Sequence, residues 1–190
     1  MTPANRIITA AATALLVAAS CMKTTAPDPV AEEIGRVVRA ETRIPVHIES
    51  ATKLDSTSIA TELTRRRGIQ ELKIYQDSCF RQKYLSQGMI VNARRKAGAI
   101  EKSRKIIAGL DSIRQRLGAD TAHIAYYDSE FEFCMADANG DKTAPKKAYA
   151  TVAPDGHVVT WSQDRRDIHK ASGLAIPGYR DLLDKLKGSE

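Results

Sequence analysis

The stretch 123–162, HIAYYDSEFEFCMADANGDKTAPKKAYATVAPDGHVVTWS, decides the fold. His123 to Met135 is rich in β-branched and aromatic residues, the signature of a strand. Asn139-Gly140 then supplies a tight turn, Lys147 to Ala153 a second strand, Pro154-Asp155-Gly156 another turn, and His157 to Ser162 a third strand. Strands joined by such short turns close an antiparallel meander. Phe131, Phe133 and Met135 share one face of the first strand, so Cys134 points with Glu130 and Glu132 to the other, unless a bulge at Asp128-Ser129 resets the alternation.

Working toward the N-terminus, the chain reads helical from Asp77 to Leu117. Phe80, Tyr84 and Leu85 are the expected buried side of a first segment, and Gly88 breaks it. A long second helix over 89–117 carries Ile90, Ala93, Ala97, Ile100, Ile107, Leu110, Ile113 and Leu117 at spacings of mainly three and four, a narrow seam like that of a coiled coil. Gly98 and Gly109 weaken this helix by ~1 kcal/mol each relative to alanine, or let another helix approach closely. The seam is expected to bury against the sheet or the helix at 29–41; a homodimer is the alternative. Residues 57–67 read as a helix ending at Arg65-Arg66-Arg67-Gly68 and 69–76 as a strand, with a hairpin turning near Gly68 as the other reading.

Ile44 to Thr52 predicts a strand, with Val46, Ile48 and Ser50 on one face. Pro45 cannot donate to a ladder, so it marks the start of that strand or puts it at a sheet edge. Before it, Asp28 is a good N-cap, Pro29 suits the first helical position, and Val30, Ile34, Val37 and Val38 form an apolar stripe. Pro177 opens a last helix with Tyr179, Leu182, Leu183 and Leu186. The class is therefore α+β, an antiparallel β meander packed against several helices on one sheet face.

The first 21 residues speak to address rather than fold. Arg6 precedes an apolar run from Ile7 to Val17, and small residues lead to Cys21. A charged start, a short apolar core and a small-residue cleavage site make an export signal, too short for a spanning helix of ~20 apolar residues. Val17-Ala18-Ala19-Ser20-Cys21 resembles the lipobox of bacterial lipoproteins, with Ala18 where leucine is commoner. That resemblance covers only this stretch. It implies cleavage after residue 20 and acylation of Cys21 (palmitate among its chains), and Met22 rather than aspartate implies outer-membrane sorting with the domain in the periplasm. Residues 21–28 then form the lipidated cysteine and its tether, and 29–190 a single domain.

With Cys21 acylated, Cys79 and Cys134 remain, and an oxidising compartment favours their disulfide. Such a bridge spans 55 residues (134 minus 79) and would stabilise the fold by about 4 kcal/mol.

The chain of 190 residues carries a formal charge of +6, and loss of residues 1–20 removes one cation. Basic clusters recur at Arg65–Arg67, Arg94–Lys96, Lys102–Lys105, Lys146-Lys147 and Arg165-Arg166. Export and the lack of interleaved aromatics argue against nucleic acid; anionic headgroups, peptidoglycan or an acidic protein suit such a field, and solvated helix faces are the plainer reading. His47, His123, His157 and His169 lack metal-box spacing. Asp137, Asn139 and Asp141 resemble the first ligands of a calcium loop, but its sixth and twelfth positions are Lys142 and Ala148. No metal or cofactor is expected. Cys79, read as lying at a helix N-terminus with histidines downstream, is the one candidate nucleophile. Two functions follow as expectations. The first is a non-catalytic envelope lipoprotein, an inhibitor, immunity or secretion-accessory module bound to an envelope protein or wall component. The second is a periplasmic cysteine hydrolase using Cys79 with a histidine.

Overall fold

A computed structural model of the chain describes residues 28–136 and 141–187. Its centre is a four-stranded antiparallel sheet in the order β1 (Val46–Ser58), β2 (Ile124–Met135), β3 (Lys146–Val152), β4 (Val158–Ser162). The three antiparallel strands over 123–162 are as expected, but β2 and β3 are joined by residues 136–145, within which the expected Asn139-Gly140 turn lies outside the described residues; the turn after β3 closes with Gly156 N–H donating to the Ala153 carbonyl, at a φ of 87° that favours glycine. β1 is an edge strand beginning directly after Pro45, in keeping with proline's missing donor. It runs six residues beyond the expected Thr52. A register shift between Ile48 and Ser50 inserts Glu49 as an extra residue, so Ala51, opposite Phe131, joins Ile48 on the inner face in place of Ser50. The β2–β3 register is unbroken from Tyr127↔Val152 to Phe133↔Lys146, so no bulge at Asp128-Ser129 resets β2 on that side.

The α1 helix (Pro29–Thr42) starts as its sequence dictates. Asp28 Oδ1 accepts from the Val30 N–H at 3.0 Å, and Pro29 occupies the first turn, where its missing N–H costs nothing. Ile34 and Val38 are fully buried against Val46, Phe131, Phe133, Ala148, Ala150 and Val158. Each such side chain stabilises by about 1.5–3 kcal/mol. Gly35 brings the helix so close that a Cβ there would stand 3.2 Å from Ile48 Cγ1. Trp161 packs beside Phe131 and Phe133 and donates to Glu41 at 2.7 Å, tying β4 to α1.

The opposite sheet face carries Tyr126 and Asp128, and helices cover it too: α2 (Ile59–Ser86) reaches Tyr126, and α4 (Arg165–Ala171) reaches Asp128 through His169. Helices thus pack on both faces of the sheet, not on one. α4 has only seven residues, too few to show a period in sequence; its Asp164 N-cap accepts from Arg166 N–H at 2.9 Å.

Residues 57–76 depart furthest from expectation. Neither a helix ending at Gly68, nor a strand over 69–76, nor a hairpin forms. β1 runs to Ser58, whose Oγ caps Thr61 N–H, and one helix of 28 residues continues through Gly68 to Ser86. Open space surrounds Gly68, and Arg67 bridges past it to Glu71 at 2.9 Å. Leu63, Arg66 and Gln70 keep one buried face across it. The glycine's propensity cost of ~1 kcal/mol is too small to stop a helix that is packed on both sides of it.

After Gly88 the chain reverses into α3 (Ile90–Leu117), the long helix expected over 89–117. Its buried line is Ala93, Ile100, Ser103, Ile106, Leu110 and Ile113, with Ile106 in place of Ile107. That line packs against α2 in the same chain, and near its end against α5 (Tyr179–Lys187), rather than against α1. The long connection between β1 and β2 is therefore an antiparallel helical hairpin. Gly109 is the close approach that its position allowed: a Cβ there would collide with Leu182 of α5, whereas Gly98 faces open space.

Candidate interaction surface

The base of the hairpin is locked by a buried polar cluster. The Glu62 carboxylate, with no exposed surface, accepts from Arg66 Nε at 2.7 Å, Ser172 Oγ at 2.8 Å and Tyr126 OH at 3.0 Å, and pairs with Arg65 at 3.2 Å. Arg66 also donates to the Lys170 carbonyl at 2.9 Å and to the His169 carbonyl. Gly173 leaves room for that guanidinium, since a Cβ there would stand 2.6 Å from Arg66 Nε. Four elements meet in this cluster, so it fixes the direction in which α2 leaves the sheet.

Beside it, Asp128 is buried with Oδ1 unpartnered and Oδ2 3.7 Å from His169 Nε2. Burial pushes its carboxyl above the ordinary range, against the lowering fields of His169, Arg165 and Arg65. Among the described residues no group of three His, Cys, Asp or Glu side chains could hold a metal. The polar groups of the cluster are spent on one another.

Beyond its base the hairpin stands away from the rest of the fold. No residue from Glu71 to Asn92 is buried. Phe80 and Leu85, expected inside, are exposed, as are Met89, Ile90 and Val91 around the turn, with Ile90 at 50% and Val91 at 67%. Charge is segregated in the same direction. Residues 59–117 hold fourteen Lys and Arg against five Asp and Glu, a net +9, while the whole chain is +6, so the rest is net −3. From Ser78 to Ile100 there is no carboxylate at all, but five cations. Of these, Lys96 is engaged by Asp77 at 2.6 Å and lies 5.3 Å from the Phe80 ring centre; Asp77 raises its pKa. Arg81, Lys83, Arg94 and Arg95 have no carboxylate partner among the described residues.

The basic clusters of the sequence thus divide. Arg65 and Arg66 turn inward to Glu62; Arg67 pairs with Glu71 and Asp111; Lys105 pairs with Glu101, Lys147 with Glu130, Arg165 with Asp55 and Arg166 with Asp164. Cations without a carboxylate partner among the described residues, such as Arg104 and Lys146, occur elsewhere too, but only the tip sets them in a run free of acidic residues, from Ser78 to Ile100. All of these clusters are visible in the sequence, but which cations are paired depends on which element the fold lays alongside.

The expected disulfide does not form. Cys79 is exposed on α2, whereas Cys134 is buried on β2, and both are free. The physical reason is the continuity of α2: Cys79 lies twenty residues past Ile59, ~30 Å along the helix. Cys134 instead lies opposite His47 on β1, on the face away from Phe131 and Phe133. Burial raises its thiol pKa and the Glu49 carboxylate reinforces the shift, so it stays protonated. Cys79 also lacks the helix N-terminus expected of it, being the twenty-first residue of α2, and no peptide dipole end activates it. The histidines sit elsewhere: His47 on β1, His123 before β2, His157 before β4 and His169 in α4. Cys21 and its tether up to residue 27, the leader, and Asp137 to Gly140 of the calcium-like loop lie outside the described residues. No helix among the described residues is long and apolar enough to cross a membrane.

Comparison with protein-family models, with curated proteins and with solved structures finds no match.

Proposed function

We propose that the chain is a non-catalytic envelope lipoprotein, held at the outer membrane through Cys21 with its domain facing the periplasm, and that it acts as a binding or accessory module through the α2–α3 hairpin. One observation carries the reading: the outer hairpin combines exposed apolar side chains with a run from Ser78 to Ile100 that holds five cations and no carboxylate. A fold needing only its own stability would not place Ile90 and Val91 in solvent at the end of an arm. The lipobox-like leader supports the anchor, and a short tether leaves the domain close to the membrane. Inhibitor, immunity and secretion-accessory roles all use such a surface. The hydrolase reading has less support, since it needs an activated Cys79 beside a histidine.

Two linked measurements test this. In a bacterial host fed an alkyne analogue of palmitate, the wild-type chain should carry the label and Cys21→Ala should not; an unlabelled wild type refutes the anchor. A photo-crosslinking amino acid at Val91 should trap an envelope component, whereas one at Glu132, exposed on the sheet, should not. Crosslinks from Glu132 with none from Val91 would refute the hairpin as the binding surface.

A further inference from the structure

We propose that the hairpin tip is a shallow membrane-inserting wedge, in which Leu85, Met89, Ile90 and Val91 enter an anionic phospholipid surface and Arg81, Lys83, Arg94 and Arg95 bind its headgroups. This rests on the hairpin being the binding surface and names its partner.

The distribution of apolar residues selects the bilayer. Ile90 and Val91 are consecutive, hence ~100° apart around the helix axis, yet both are exposed. Leu85 lies across the turn from them on the other helix. A folded protein partner covers one face of an arm, and apolar residues then align at spacings of three and four. Farther back on α2, exposed Ile69, Leu72, Tyr75 and Phe80 do share one side of the helix, but at the tip Leu85, Ile90 and Val91 point outward in several directions, which suits a medium that surrounds the tip alone.

The cations follow the same geometry. Arg94 and Arg95 lie four and five residues behind Ile90, and Lys83 and Arg81 lie four and six residues before Gln87. At 1.5 Å per residue they stand ~6–9 Å behind the turn, the depth separating buried apolar side chains from headgroup phosphates. Consecutive Arg94 and Arg95 again point in different directions, making a collar, and long stems let their charges rise to the phosphates. The absence of any carboxylate from Ser78 to Ile100 removes the group that an anionic surface would repel. A second copy of the chain is disfavoured on the same ground, because two hairpins of net +9 repel.

The test uses the full chain carrying Met89→Trp, mixed with vesicles of equal parts phosphatidylglycerol and phosphatidylcholine brominated in the acyl chains. Native Trp161, held against Phe131 and Phe133 and bonded to Glu41, serves as the reference emitter. The tip tryptophan should be quenched on anionic vesicles and little affected by pure phosphatidylcholine, while Trp161 in the wild type is unchanged. Replacing Arg81, Lys83, Arg94 and Arg95 by Gln, singly and together, should weaken tip quenching by roughly fivefold per cation, as should added salt. All four are exposed, and an unchanged thermal midpoint verifies folding. Equal quenching on neutral and anionic vesicles, or none on either, overturns the proposal. If the tip is silent on lipid but responds to polyglutamate, the hairpin remains a binding surface and its partner is an acidic protein. If it responds to neither, the hairpin reading falls as well.

Discussion

Glu62 is expected to be the most sensitive polar residue in the molecule. Its carboxylate takes Arg66, Ser172 and Tyr126 at 2.7–3.0 Å, with Arg65 at 3.2 Å, in a site without solvent. Glu62→Ala strands the Arg66 guanidinium, which is 7% exposed, and takes the acceptor from the Tyr126 hydroxyl, while Ser172 Oγ keeps the His169 carbonyl at 3.1 Å. Removing one partner of a buried ion pair costs roughly 3–5 kcal/mol. The carbonyls of Lys170 and His169 still hold Arg66, which places the loss toward the lower part of that range. In urea, with a slope of ~2 kcal/mol per molar, the midpoint should fall by about 1.5 M without a change in slope. In thermal melts the drop should be about 10 °C. Glu62→Gln, which keeps one acceptor oxygen, should fall between wild type and alanine. Glu71→Ala, on the exposed side of the same helix, should leave the midpoint where it was. A loss from Glu62→Ala under about 1 kcal/mol would mean that the cluster does not hold the hairpin base, and the fixed direction of the arm would lose its cause.

Further expectations concern glycines, thiols and titration. Gly109→Ala should destabilise by about 1–3 kcal/mol, although alanine is the better helix former, because its methyl meets Leu182; Leu182→Ala should restore much of the loss, and Gly98→Ala, in open space, should stabilise by up to ~1 kcal/mol in the same denaturation assay. Alkylation followed by peptide mapping should modify Cys79 in the native protein and Cys134 only after unfolding, and a recovered Cys79–Cys134 crosslinked peptide would overturn their placement. Burial holds the Asp128 carboxyl above its ordinary value, so its ionised form costs stability at neutral pH, and that cost is relieved as pH falls through the raised value. Asp128→Asn should therefore be more stable than wild type at neutral pH, with a gain that vanishes toward the ordinary carboxylate value of 3.8; a constant gain across that range counts against the assignment. Asp164 has the opposite sign: hydrogen bonds from the Arg166 side chain and backbone hold it down to about 2, so its contribution is present above 3.8 and lost as pH falls toward that lowered value. A carboxyl titration by NMR should show that midpoint, and Arg166→Ala should raise it.

What the sequence determined by itself was set by neighbours along the chain. The strands from His123 to Ser162 follow from their composition and from the turn at Pro154-Asp155-Gly156, and α1 from Asp28, Pro29 and a stripe that one face of a helix must bury. The face on which Cys134 lies follows from the alternation of the strand. What tertiary structure alone decided was set by partners far apart in sequence. Gly68 has the look of a helix end, and only the packing of Leu63, Arg66 and Gln70 against a distant part of the chain carries α2 through it. That continuity moves Cys79 from the start of a helix to the outer part of an arm, and so abolishes both the bridge to Cys134 and the nucleophile's dipole. The same holds for charge. Cation clusters are visible in any reading of the chain, but whether a cation is neutralised depends on the carboxylate that the fold brings beside it, as Asp55 reaches Arg165 and Asp111 reaches Arg67. The leftover field at the hairpin tip is a property of the folded arrangement, because Coulomb pairing acts through space and local propensity does not.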